Sequence, residues 1–356
     1  MKAPISASLP ASLHSFFSSK TQTHAGEPRT PSRLWGLLLA ATVAVCALYL
    51  GERWPIIGGP VFGIVVGMLV RNTVGLGPLF KPGTQYASKA MLQWSIIALG
   101  FGLSLPQILH TGADSLVVTL ITITVAFVSA YLLGRLLRIP EKLGTLIGVG
   151  TAICGGSAIA AVTPILEPEE HEIALAISTI FIFNIVAVLT FPFLGHLMHM
   201  SDAGFGVWAG TAINDTSSVV AAGFSYSNQA GDHATIVKLT RATLIIPICL
   251  VLAGLQVWRH KKSGRKVQLM RLIPWFILWF VLASAVRSAG LVPVQWLEPL
   301  RFVAQSLMVL ALSAIGLSSD LQVIRRAGLR PALLGLGVWL AVALSSLAVQ
   351  QWIGVW

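Results

Sequence analysis

Eleven apolar stretches of about 17 to 25 residues run through this chain, at roughly 34–51, 54–70, 87–105, 114–134, 143–165, 173–198, 203–227, 236–258, 272–288, 299–317 and 331–352, and each is long enough to cross a bilayer as a helix. Hydrocarbon offers the backbone no hydrogen-bond partner, so such a stretch must satisfy its own amides and carbonyls as a helix. The expected fold class is therefore all-α: a polytopic membrane protein with about eleven transmembrane helices. Charged residues make up only 10% of the chain against 55% hydrophobic ones, too few charges for a soluble domain. The expected organisation is a disordered cytoplasmic tail over the Ser-, Thr- and Pro-rich residues 1–33, then one transmembrane domain over 34–356. No small-residue cleavage site follows the apolar run 36–50, which reads as a retained helix.

The formal charge of +11 reflects topology signals rather than nucleic-acid binding, since the basic residues sit in short loops between apolar spans. With the N-terminus in the cytoplasm, 19 of the 24 basic residues fall on the inner side, among them Arg71, Arg138, Lys142 and Arg259. The outer loops then carry acids such as Glu167, Glu169, Glu170 and Glu172. With eleven crossings the C-terminus is expected outside. In the second span Gly59, Gly63 and Gly67 share one face and allow close helix packing. Cys46, Cys154 and Cys249 all lie in apolar spans, with no disulfide framework and no CxxC metal pattern.

One polar phrase occurs twice in this apolar sequence. Gly150-Thr151-Ala152-Ile153-Cys154-Gly155-Gly156-Ser157 returns as Gly210-Thr211-Ala212-Ile213-Asn214-Asp215-Thr216-Ser217, each near the middle of a span. Glycines, hydroxyls and a carboxylate at that depth are costly and point to a polar site at the membrane midplane. Gly155 and Gly156 either break the helix and free anion-binding amides, or simply admit a neighbouring helix. In an unbroken helix Thr211, Asp215 and Ser218 share a face. Asp215 then acts as a coupling or gating group, or forms a structural pair with a neighbouring helix. Lys238 and Arg241 lie three apart on the eighth span. Arg241 either snorkels to the interface, pairs with Asp215, or holds an anion bidentately. Asn184 is a weaker candidate for the same cavity. His196 and His199, with Met198 and Met200, read as interface residues, and no P-loop is present.

A second echo sets Gly102-Leu103-Ser104 against Gly316-Leu317-Ser318, with Gln107 meeting Gln322 and Gly112 meeting Gly328. These copies lie seven spans apart and so run in opposite directions, as in inverted-repeat transporters. The Gly-Thr-Ala-Ile pair breaks that symmetry, because spans five and seven run the same way.

The chain resembles the YeiH-like bacterial inner-membrane proteins, an uncharacterised protein family whose usual label is sulfate exporter. The residues that carry the likeness are Gly67-Met68-Leu69-Val70-Arg71-Asn72, both Gly-Thr-Ala-Ile phrases and Lys238-Leu239-Thr240-Arg241. The resemblance implies a multi-pass exporter of small anions in the inner membrane.

Together these readings lead to the expectation of a non-enzymatic secondary transporter of a small anion, sulfate or sulfite foremost. Its substrate-binding residues would be Thr151, Cys154, Gly155, Gly156, Ser157, Thr211, Asn214, Thr216, Ser217 and Arg241, with Asp215 and Lys238 coupling or gating. Its partners would be the anion and the bilayer, with a homodimer open and no nucleic acid, metal or cofactor. Two rivals stay open: a cation-coupled carrier of an organic acid, with Asn214 and Asp215 on the cation, and an intramembrane enzyme or structural subunit.

Overall fold

The computed structural model describes residues 33–54, 57–260, 274–320, 328–354 and 356, the side chains of 256–260 excepted. The expected tail, and Gln322 of the second echo, lie outside the described residues. All regular elements among those residues are helical. They are α1 (Arg33–Arg53), α2 (Gly58–Thr73), α3 (Lys81–Tyr86), α4 (Leu92–Gly100), α5 (Leu105–Leu136), α6 (Glu141–Ala152), α7 (Gly156–Leu166) and α8 (Glu170–Leu197). There follow α9 (Asp202–Ala212), α10 (Thr216–Tyr226), α11 (Asn228–Thr243), α12 (Ile245–His260), α13 (Trp275–Ser288), α14 (Leu297–Ser318) and α15 (Leu329–Ile353). One π turn, Ala87–Met91, joins α3 to α4.

Each of the eleven apolar segments falls on one of these helices or on a consecutive pair. Among the described residues, six stretches are by themselves long and apolar enough to cross a membrane: Arg33–Arg53, Leu105–Leu136, Glu170–Leu197, Asn228–Leu255, Val294–Ser318 and Leu329–Ile353. The glycine face of α2 divides its contacts. A Cβ on Gly63 or Gly67 would stand 2.9 or 2.5 Å from Ser313 of α14, whereas one on Gly59 would meet α1 at 3.6 Å.

Two of the eleven segments do not run through. In a continuous helix, residues 25 apart stand about 37 Å apart. Lys142 Nζ nevertheless donates to the Glu167 carbonyl at 2.6 Å, bringing the start of α6 to the end of α7. Ser227 Oγ donates to Asp202 Oδ1 at 2.5 Å, and Tyr226 Oη donates to the Met200 carbonyl at 2.5 Å, closing α9 on α10 in the same way. Both pairs are therefore helical hairpins that turn back at their midpoints. The direction of packing agrees. Gly206 and Gly210 of α9 meet His233 and Val237 of α11 in rising order, so α9 runs parallel to α11. Gly223 of α10 meets Gly231 beside the Ser227 turn, so α10 runs antiparallel to α11.

The turns have local causes. Gly155 takes φ +70° and ψ −130°, a left-handed conformation that side-chain-bearing residues avoid, and ends the first arm of hairpin one. In hairpin two, Ile213 and Asp215 are extended, at φ −87° and −91° with ψ 134° and 144°, which stops the α-helical ladder. The expectation that spans five and seven cross the membrane as helices is thereby corrected. So is the placement of Lys142 and Glu167 at opposite ends.

The reversal also places the two copies of the phrase on hairpins rather than on crossing helices. α8 runs from the base of hairpin one, where Glu169 and Glu172 form its capping box, to the base of hairpin two, where His196 stacks on Tyr226 at 4.1 Å. One helix therefore separates the bases, and the hairpins enter the bundle from opposite ends. Their tips meet beside the middle of α8: Ile180 lies against Gly150 and Gly155, and Asn184 Oδ1 accepts the Asp215 amide at 3.1 Å. The largest apolar core unites the hairpins with α5, α8, α11 and α15, a second sets α2 and α14 against α8 and α10, and smaller ones join α1, α2 and α14.

Single cysteines in a cysteine-free background test the hairpins. Cysteines at Glu141 and Glu170 are expected to react with an impermeant maleimide from one membrane face, and those at Asp202 and Asn228 from the other. Labelling of Glu141 and Glu170 from opposite faces would restore the crossing helix.

Candidate functional site

The first arm of each hairpin ends at the tip, leaves its last carbonyls without an intrahelical partner and carries roughly half a negative charge there. Both C-terminal ends, those of α6 and α9, point at α11. Lys238 Nζ donates to the Ile153 carbonyl at 2.8 Å and the Ile213 carbonyl at 2.9 Å. Arg241 Nε donates to the Ala152 carbonyl at 2.6 Å, and its terminal nitrogens donate to the carbonyls of Thr151, at 2.8 Å, and Thr211. Both side chains are fully buried. The contacts follow the repeat: Ile153 matches Ile213, and Thr151 matches Thr211. Two side chains one helical turn apart thus cap both tips at equivalent positions.

Arg241 therefore does not pair with Asp215. Its guanidinium faces backbone carbonyls, and the Asp215 carboxylate turns the other way, onto its own helix. There it accepts the Ser217 amide at 3.0 Å and also the Ser217 hydroxyl, capping α10. Hairpin one differs. No side chain caps α7, and the Ser157 hydroxyl lies 3.0 Å from both the carbonyl oxygen and Sγ of Cys154. The tips touch directly: a Cβ on Gly155 would stand 3.6 Å from Asp215 Cβ.

The expected site residues thus gather at one junction, in two layers. Thr151, Cys154, Gly155, Thr211, Asn214 and Ser217 are buried, Gly156, Asp215 and Thr216 are half-buried, and Ser157 is exposed. The accessible layer is the pair of helix N-termini, and the cations form the sealed layer behind it. Thr211 proves to be a packing residue, because its hydroxyl bonds the Val207 carbonyl at 2.6 Å and Ser346 of α15 at 2.7 Å, and Gln350 extends that chain. Sequence reasoning missed Ser346 and Gln350, though two polar residues four apart in the last apolar span are a readable signal. Asn184 gains a definite place as the acceptor for the Asp215 amide.

Comparison with known proteins now settles the family. The family model described as conserved hypothetical protein 698 matches residues 35–335. The chain belongs to that family. It is 42% identical over 328 residues to a UPF0324 membrane protein of Streptococcus pneumoniae R6, covering 90% of this chain and 97% of the relative. It is 38% identical over 346 residues to a UPF0324 membrane protein of Fusobacterium nucleatum, covering 91% and 99%. A third such protein, from Clostridium tetani, is 38% identical over 334 residues, covering 90% and 97%. This is the YeiH-like family to which the repeated phrases point. These relatives align with 90–91% of this chain's length, and like them the chain is a membrane protein with several apolar helices.

Removing Arg241 strands three carbonyls in a dry core. Arg241→Met is expected to cost about 3–9 kcal/mol, at roughly 1–3 kcal/mol for each of the three unpaired carbonyls. Arg241→Lys should recover only part, because one ammonium cannot reproduce a fork that spans both hairpins. Denaturant unfolding in detergent checks both: a variant as stable as the parent would show that the carbonyls find other partners.

Proposed function

We infer that this chain is a secondary transporter of a small anion in the bacterial inner membrane, working as an exporter. The observation that carries the reading is the junction itself. Two hairpin tips from opposite ends of the bundle meet at Gly155 and Asp215, with two buried cations behind them and open space in front of Gly156. Discontinuous helices that meet at mid-depth are how secondary transporters place a site that either face can reach. Half-helix N-termini attract anions through their free amides and dipoles. The sulfate label of the resemblance agrees in class.

The reading counts nine crossings, by α1, α2, α3 with α4, α5, α8, α11 with α12, α13, α14 and α15, plus two re-entrant hairpins. Nine is odd, so a cytoplasmic N-terminus still leaves a periplasmic C-terminus. The basic residues Arg71, Arg138 and Lys142 keep to the inner side, as the positive-inside rule asks. The hairpins and the Gly102 and Gly316 echo together support an inverted repeat. The cation-coupled rival puts its cation on Asn214 and Asp215, and the Asp215 carboxylate is already engaged by the Ser217 amide and hydroxyl as the cap of α10.

Proteoliposome flux of sulfate, sulfite, bicarbonate and short organic acids tests the reading. At least one anion should move faster than in empty liposomes, and Gly156→Leu, which fills the space before α7, should abolish that flux while leaving the protein folded. Absence of flux for every anion tested, in protein shown to be folded, would overturn it.

A further inference from the structure

The two tips repeat one phrase but differ in one charge. Aligning Gly-Thr-Ala-Ile sets Gly155 on Asp215, Gly156 on Thr216 and Ser157 on Ser217. On hairpin two, the Asp215 carboxylate occupies the place in front of the α10 N-terminus and takes the Ser217 amide and hydroxyl. On hairpin one the matching residue has no side chain, α7 carries no side-chain cap, and a Cβ on Gly156 would meet nothing within 4 Å. The Ala158 amide of that first turn donates to the Gly155 carbonyl at 3.1 Å, which leaves the Gly156 and Ser157 amides uncapped where the sister tip keeps a carboxylate. A second observation marks the same junction. Asn214, beside the Asp215–Gly155 contact, is 1% exposed and its Oδ1 has no hydrogen-bond partner. Turning that amide over presents its N–H groups instead.

The charge balance states what would fill the space. Among the described residues, the charged side chains at the junction are Lys238, Arg241 and Asp215, and +1 +1 −1 leaves +1. The partial charges of two helix C-termini and two N-termini cancel. An uncompensated charge away from water is costly, and one negative charge removes it. A dianion would overshoot and would also face the Asp215 carboxylate.

We propose that the paired tips bind one singly charged oxyanion, such as hydrogensulfite, hydrogencarbonate or a short carboxylate, with an oxygen on the α7 amides at the place Asp215 takes on α10, and that Asp215 sets this preference by repelling dianions. The proposal rests on the anion-transport reading and narrows its substrate to one charge, which sets sulfate aside.

Isothermal titration of the purified full chain with formate, hydrogensulfite and sulfate, paired with proteoliposome counterflow of the same ions, tests it. The parent should bind the monoanions at least ~10-fold tighter than sulfate. Asp215→Asn keeps a capping side chain and raises the junction to +2, so the monoanion-to-sulfate preference should fall ~10-fold or more. A folded Asp215→Asn variant with an unmoved preference overturns the proposal. Should the variant not fold, the parent's own preference decides. Sulfate bound and carried ahead of the monoanions removes this proposal and leaves the transporter reading standing. Neither binding nor flux of any of these ions removes both.

Discussion

The hairpins exist because two cations on one helix take up the carbonyls that a broken helix leaves in hydrocarbon. An unpaired polar group there costs several kcal/mol, and each tip exposes more than one. Lys238 and Arg241 answer this from α11, one turn apart, and they contact both tips at matching positions of the repeated phrase. Desolvating two positive charges is itself expensive. The negative ends of two helix dipoles and at least five charge-assisted hydrogen bonds offset it. Neither part stands alone: buried cations without broken helices lack partners, and broken helices without cations lack caps.

The rest of the bundle holds that arrangement in register. α8 spans the distance between the two hairpin bases, so its length fixes where the tips can meet. Ile180 fits beside Gly150 and Gly155, where added side chains would crowd it, and Asn184 one turn later receives the Asp215 amide. At the base of hairpin two, Tyr226 stacks on His196 and Phe205 with centroids 4.1 and 4.0 Å away. Trp208 packs on Phe191 at 4.0 Å and donates from its ring nitrogen to the Ala343 carbonyl of α15 at 3.2 Å. Hairpin two is thus seated on α8, α11 and α15. The position of Asp215 is a consequence of these contacts rather than of local propensity.

The helices, the repeated phrase and the two cations were all legible in the sequence, because apolar length and buried charge are local signals. The reversal was not. Two arms of about eleven residues with a short turn add up to the length of one crossing, and helical periodicity is the same for a straight rod and a folded one. What decides between them lies 25 residues away in sequence, in Lys142 with the Glu167 carbonyl and Ser227 with Asp202. The Asp215–Arg241 pairing failed for a different reason. It matched side-chain charges and left out backbone carbonyls, which at a broken helix end are the nearer and more numerous acceptors.

The two hairpins share backbone geometry at their C-terminal ends and diverge at their N-terminal ends. On the carbonyl side, one Lys and one Arg treat Ile153 and Ile213, and Thr151 and Thr211, alike. On the amide side, Asp215 closes one helix while Gly155 leaves the other open. A duplicated device needs its structural half intact in both copies, because a tip without carbonyl caps would not stay in a dry core. Its amide half is under no such demand, since first-turn amides that face an accessible surface are satisfied by water or by a ligand. Sequence difference between the copies is therefore tolerated on the amide side, and the single place where charge differs is where the tips touch.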